Sequence, residues 1–170
     1  MNIQLRELSR GDIPMLNIWR NDPSVIEHLG SNFLYIANEI DVKWYENYLN
    51  NRQNAVRLAI IDTEADSAFV GTVQLTSIHA INRSAEFSIM IGNKDYWSKG
   101  VGFIAASEII KHGFNDLNLH RIYLTVLTEN TRAIYLYTKL GFQDEGILRG
   151  CIFKNGAFKD MLAMAIVRLH

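Results

Sequence analysis

Tyr96-Trp97-Ser98-Lys99-Gly100-Val101-Gly102-Phe103 sets two glycines immediately before a run whose apolar residues recur at helical spacing. Glycines at a helix start let successive backbone N–H groups face one point, which makes a cradle for an anion. Glycine pairs at a helix start are also ordinary turn punctuation, so the flanking chain has to decide. A Walker A loop is excluded, because Gly-Lys-Ser/Thr occurs nowhere in the chain. Gly100-Val101-Gly102-Phe103-Ile104-Ala105 does satisfy the dinucleotide pattern G-x-G-x-x-A and opens a helix. Its surroundings are wrong for that fold, since the preceding strand ends near Ile91, about eight residues too early. The acidic residue expected about 20 positions further on is also missing, Glu129 coming too late.

Outward from the glycines, a helix is expected from about Gly102 to Leu117, with Phe103, Ala106, Ile110 and Phe114 on one face. Upstream, Ala85 to Ile91 alternates as a strand that puts Glu86, Ser88 and Met90 on one face and Phe87, Ile89 and Ile91 on the other. Before it, Val56–Ile61 and Val70–Leu75 are β-rich runs joined by the polar turn Asp62 to Ser67, a hairpin that continues into a meander. Ile3–Leu8 alternates like a half-buried strand, and Asp12 and Pro14 start a helix to about Arg20 that Asn21-Asp22-Pro23 terminates. A loop from Gly30 to Ala37 leads to a helix from about Glu39 to Leu49.

Downstream, Arg121–Leu127 is a strand and Thr131–Leu140 a helix stopped by Gly141 at the C′ position. Gly146–Phe153 and Phe158–Leu169 flank Asn155-Gly156 as a closing hairpin. Strand, loop, helix, strand implies a parallel pair inside an otherwise antiparallel sheet. The expected fold is α+β, one domain over residues 1–170, its mixed sheet antiparallel at the ends and parallel in the middle.

A chain of 170 residues with 48% hydrophobic content buries about 70% of its unfolded surface without disulfides or metal. Seventeen basic and 18 acidic residues leave a formal net charge of −1, no field that would gather nucleic acid or an anionic membrane. Cys151 is the single cysteine, which excludes an internal disulfide and thiolate-rich metal sites and suits a reducing compartment. The five histidines show no close pair at ligand spacing, so no metal is expected. Met1–Glu7 lacks the basic start and apolar run of a signal peptide, and no apolar stretch reaches 18 residues. A cytoplasmic protein without membrane or nucleic-acid partners is the expectation.

About 30 residues beyond the glycines stands Glu129-Asn130-Thr131-Arg132-Ala133-Ile134-Tyr135-Leu136-Tyr137-Thr138-Lys139-Leu140-Gly141-Phe142. Taken with the loop, this segment resembles the GCN5-related N-acetyltransferases, whose acyl-CoA loop Q/R-x-x-G-x-G/A is paired with a helix N-x-x-A-x-x-x-Y-x-x-x-G-F. Asn130, Ala133, Tyr137, Gly141 and Phe142 match the helix pattern. Trp97 stands where the loop pattern has Gln or Arg, which removes one polar partner for a pyrophosphate. Tyr-Trp-x-Lys-Gly-x-Gly is similar to the branch of ribosomal-protein N-terminal acetyltransferases of the RimJ/RimL type, as are Arg20-Asn21-Asp22-Pro23 and the region Gly146 to Asp160.

The resemblance implies a mostly antiparallel sheet with a splayed parallel pair, and acetyl-CoA as co-substrate without a metal. Pantetheine would pair with the freed edge of Ala85–Ile91 through Ile89, Met90 and Ile91. Backbone groups of Ser98, Lys99, Gly100, Val101, Gly102 and Phe103 would hold the pyrophosphate, favoured at a helix N-terminus, with Trp97 beside them in the cofactor site. Asn130, Arg132 and Ala133 would complete the cofactor site, Asn130 by bonding pantetheine, by capping its helix, or both.

Direct transfer from thioester to amine needs a neutral amine, a stabilised oxyanion and a proton for the thiolate. Tyr137 matches the family's acid, a phenol of pKa about 10 facing a thiol near 8.5; as a large helix residue it also suits the core. Glu86 is the candidate base, directly or through water, if burial raises its ordinary pKa of about 4.3. A cross-strand ion pair with Arg83 or Arg121 is the competing role. His120, His28 and His79 are weaker candidates. Cys151 lies far along the chain from both motifs and Gly-x-Ser-x-Gly is absent, so no covalent intermediate is expected.

By the same resemblance the acceptor site lies between Gly30 to Trp44 and Gly146 to Phe158. Glu27, Glu39, Asp41 and Glu46 are scattered where a polyamine site would cluster carboxylates. Phe33, Tyr35, Trp44 and Tyr45, with Arg149, Lys154 and Lys159, suit a ring with an anionic tail such as a nucleotide-linked amino sugar; the aromatics also suit a core. A protein N-terminus stays open, and so do a polyamine acceptor and a noncatalytic acyl-CoA sensor. Homodimers are frequent among the proteins the chain resembles.

Overall fold

A computed structural model describes residues 1–168. The alternating runs of the first half become an antiparallel meander of β1 (Ile3–Glu7), β2 (Val56–Asp62), β3 (Ala68–His79) and β4 (Ser84–Ile91). β4 then pairs in parallel with β5 (Arg121–Leu127), and β7 (Ala157–Val167) lies antiparallel between β5 and the edge strand β6 (Gln143–Lys154). The seven-stranded order is β1-β2-β3-β4-β5-β7-β6. This is the expected mixed α+β sheet, mostly antiparallel with a single parallel pair. Leu169, the expected end of the last strand, lies outside the described residues.

Helices cover both faces, and each strand's alternation divides its side chains between two cores. α1 (Ile13–Arg20) and α3 (Asn38–Asn50) bury Ile13, Leu16, Trp19, Tyr45 and Tyr48 with Ala59 and Ile61 of β2. On the other face α4 (Val101–Asn115) and α5 (Thr131–Lys139) pack against Ile60, Val73, Leu75, Ala85 and Phe87. Val56–Asp62 is therefore buried from Ala59 on, because apolar side chains are wanted on both sides.

Two expectations need correction. Asn21-Asp22-Pro23 ends α1 but also starts a one-turn helix, α2 (Pro23–Ile26), in which the Asp22 carboxylate accepts from Ser24 N and Pro23 takes a first-turn position. The buried face of α4 is Val101, Ala105, Ala106, Ile109, Ile110 and Gly113, with Phe114 packed against it, so the expected stripe holds at Ala106, Ile110 and Phe114 and fails at Phe103. Phe103 is turned outward at the helix start, where the Lys139 ammonium lies 5.7 Å from its ring.

Candidate active site

β4 and β5 pair only at Ser84–Arg121, Ala85–Ile122 and Glu86–Tyr123. Beyond Glu86 they part, and Phe87–Ile91 keep β3 on one edge with no strand on the other. A parted pair leaves backbone N–H and C=O groups wanting partners. A cleft of about 980 Å³ opens there, lined by β4, the glycine loop, α5 and the α1–α3 layer. Alternation along β4 sends Phe87, Ile89 and Ile91 toward α4 and α5, and Met90 toward α1 and α3. Two compounds entering from opposite faces would thus meet at the gap in the sheet.

The loop ahead of α4 forms the cradle. Ser98 (φ 61°) and Gly100 (φ 79°) are both left-handed, and Gly100 is the N-cap of α4. Nothing crowds Gly100, so it is the backbone angle that asks for glycine there. Among the described residues, none of the N–H groups of Ser98, Lys99, Gly100, Val101 and Gly102 donates to a protein acceptor. Consecutive undirected donors at a helix N-terminus fit a diphosphate. Trp97 has a bonding role of its own here: its Nε1 donates to Ile91 O at 2.8 Å, tying the loop to the end of β4. That bond leaves the Ile91 carbonyl less free for pantetheine than those of the residues before it. Lys99 does not line the cleft, its ammonium lying 6.0 Å from the Tyr96 ring. Arg132 does line it, and so does Lys139, a cation that the motifs did not single out.

α5 is fixed at both ends by its motif residues. Asn130 Oδ1 accepts from Ala133 N at 3.1 Å, capping the helix, and its Nδ2 donates to His28 O at 3.2 Å. Both ends of that amide are thus engaged within the protein. At the other end Gly141 (φ 96°) closes a Schellman turn, with Gly141 N donating to Thr138 O and Phe142 N to Tyr137 O, both at 3.0 Å. The turn lays the Phe142 ring 5.8 Å from that of Tyr137, and Phe87 meets the same ring edge-on at 5.9 Å. The motif residues thereby hold one phenol in place.

The Tyr137 ring is buried but its hydroxyl reaches the cleft and has no hydrogen bond among the described residues. Burial pushes the phenol up to about 12, so near neutrality it holds its proton and acts as a donor. Glu86 also lines the cleft and takes no ion pair among the described residues. The alternative partner Arg121 binds Glu145 instead. His28 lines the cleft, whereas His79 Nδ1 accepts from Asn82 N and His120 lies away from it.

The acceptor side differs from expectation. Arg149 is exposed outside the cleft, and Lys159 pairs with Glu129 at 2.9 Å. Buried Lys154 donates to Ile26 O and Ser31 O, clamping the loop before α3 to the closing hairpin; burial lowers its pKa. Lys154 and Lys159 are thus engaged within the protein. Cys151 is exposed and outside the cleft. Sequence reasoning missed Arg20, which bonds buried Asp41 and lies 4.5 Å from the Phe33 ring and 4.8 Å from that of Trp44. It also missed Arg57, 4.7 Å from the Trp44 ring. The signal for Arg57 was its place as a lone charge inside the apolar run Val56–Ile61. No cluster of metal-ligating side chains occurs among the described residues, and no helix there is long and apolar enough to cross a membrane.

Comparison with known proteins agrees with this geometry. The family described as the acetyltransferase (GNAT) domain matches residues 2–143. A spermidine N(1)-acetyltransferase of Vibrio cholerae is 32% identical over 99% of this chain and 95% of its own. A second, from Escherichia coli K12, is 32% identical over 97% and 86% respectively. The crystal structure of the Vibrio cholerae spermidine N-acetyltransferase in complex with CoA and spermine superposes with a TM-score of 0.91 at 31% identity, covering 98% of this chain and 95% of that one. With a family match over most of its length and relatives alike from end to end, the chain belongs to the GNAT acetyltransferases and is an N-acetyltransferase that uses acetyl-CoA.

Proposed function

We propose that the chain, working as one domain, moves acetyl from acetyl-CoA to the primary amine of a small molecule, with Tyr137 as the acid and Glu86 as the base. The observation that carries this reading is the Tyr137 hydroxyl, beside the parted strands and without a hydrogen-bond partner among the described residues. The amine attacks the thioester carbon, the tetrahedral intermediate collapses, the C–S bond breaks, and the phenol gives its proton to the leaving sulfur. In water a proton passing from a phenol at about 12 to a thiolate near 8.5 climbs roughly 5 kcal/mol. The same dry surroundings raise the thiol's pKa and close part of that gap. Residues 98–102 receive the diphosphate, and the free edge of β4 at Ile89 and Met90 receives pantetheine.

Glu86 takes the amine's proton, directly or through a water. The spermidine relatives favour a small-molecule amine over a protein N-terminus as acceptor. Glu86→Gln is expected to lower kcat/KM by about 10²-fold at pH 7. The loss shrinks as pH rises past the pKa of the acceptor, where the amine arrives already neutral. A loss constant with pH in a thiol-release assay would make Glu86 a structural group instead.

A further inference from the structure

Arg57 is a cation without an answering charge among the described residues. Its strand position faces Gln74 of β3, which faces Ser88 of β4, and their side chains join in that row: Arg57 donates to Gln74 Oε1, and Gln74 Nε2 to Ser88 Oγ at 2.8 Å. The guanidinium is half-buried beside the Trp44 and Tyr48 rings, 4.7 and 5.6 Å away, and its Nε is buried with no acceptor among the described residues. No carboxylate pairs with it among the described residues, whereas neighbouring Arg20 has buried Asp41. A half-buried charge of this kind is stabilised by an incoming counter-ion. Burial pushes the Arg57 pKa down, and the like charge of Arg20 adds to this against an opposing pull from Tyr48.

The cleft wall around it is short of acids. Of the two carboxylates that line it, Glu129 is taken by Lys159, which leaves Glu86 unpaired among the described residues. A second ammonium on the acceptor would therefore meet cations on this side of the cleft. We propose that the acceptor is a small amine that also carries a carboxylate or phosphate, received by Arg57 while the amine reaches Glu86. Arg57 and Glu86 stand two strands and two residues apart, so their α-carbons are about 12 Å from each other. Side chains reaching inward shorten that span to the length of a small metabolite. The amine end of this inference rests on the transfer reading above; the anion end rests on Arg57 alone.

Calorimetric titration into protein saturated with CoA, which occupies the cradle, separates the two. The probes are glucosamine 6-phosphate against glucosamine, γ-aminobutyrate against butylamine, and spermidine. In at least one pair the anionic member is expected to bind about ten-fold tighter than its neutral counterpart, and the pair that shows it tells phosphate from carboxylate. The advantage disappears in Arg57→Gln, survives in part in Arg57→Lys, and CoA affinity is unchanged in both, as a folded protein requires. Equal binding within both pairs overturns the proposal. So does an advantage that survives Arg57→Gln, or spermidine binding tighter than both anionic amines. Absence of turnover with acetyl-CoA would count against the transfer reading and leave this titration to decide the anion site.

Discussion

Tyr137→Phe is expected to lower kcat by about 10²- to 10⁴-fold, the range for a lost general acid, with acetyl-CoA affinity unchanged. The hydroxyl bonds nothing among the described residues, so its removal leaves Phe87 and Phe142 their ring contacts and the fold intact. The residual rate should depend on the leaving thiol, being restored in part by an acyl thioester whose thiol is more acidic. Linkage gives an independent check at high pH. The folded phenol titrates at about 12 and the unfolded one at about 10, so the folded state keeps a proton that the unfolded state gives up. The stability tied to Tyr137 is then full below pH 10 and falls by about 3 kcal/mol as pH rises through 12. The Phe variant lacks that part of the alkaline loss, which denaturant melts at pH 8 and pH 11 can read. Equal kcat in the two proteins would remove Tyr137 from the chemistry.

Substitution at Gly100 tests the cradle through charge rather than shape. Asn and Asp are nearly isosteric and both tolerate the left-handed angle of 79° found there. No neighbouring atom would obstruct a first side-chain carbon. Gly100→Asn should therefore weaken acetyl-CoA binding only modestly, by the local strain. Gly100→Asp places an anion beside the diphosphate; at about 5 Å and an effective dielectric of about 20 the repulsion is roughly 3 kcal/mol, or about 10²-fold in Kd. Equal affinities for the two variants in a calorimetric titration would mean that the diphosphate lies elsewhere.

What was legible in the chain follows from which forces act locally. The alternation of Ala85–Ile91, the glycines at 100 and 102 and the Asn130 to Phe142 pattern record period, backbone angle and capping, all short-range, and each reappears in the fold. The Schellman turn shows why Gly141-Phe142 belongs with Tyr137: it lays one ring on the other. The acceptor side was poorly legible because its contacts join residues far apart in sequence. Lys154 bonds Ile26 O and Ser31 O across the closing hairpin, so a cation expected to meet substrate is spent on the scaffold. Arg57 meets Trp44 and Gln74 only once β2, β3 and α3 are packed. Phe103 misled for a related reason: its spacing fits the α4 stripe, but the cleft, which no periodicity encodes, takes it outward.

Hydrogen–deuterium exchange with and without acetyl-CoA tests most directly whether the thioester enters between the parted strands. Among the described residues, the N–H groups of 98–102 have no acceptor and Phe87–Ile91 lack a strand on one edge. The expected result is slowed exchange confined to these two segments and the start of α5, with β1 and β2 unchanged. Unchanged exchange at 87–91 and 98–102 under saturating acetyl-CoA, in protein that still releases thiol, would contradict it and place the cofactor outside the splay.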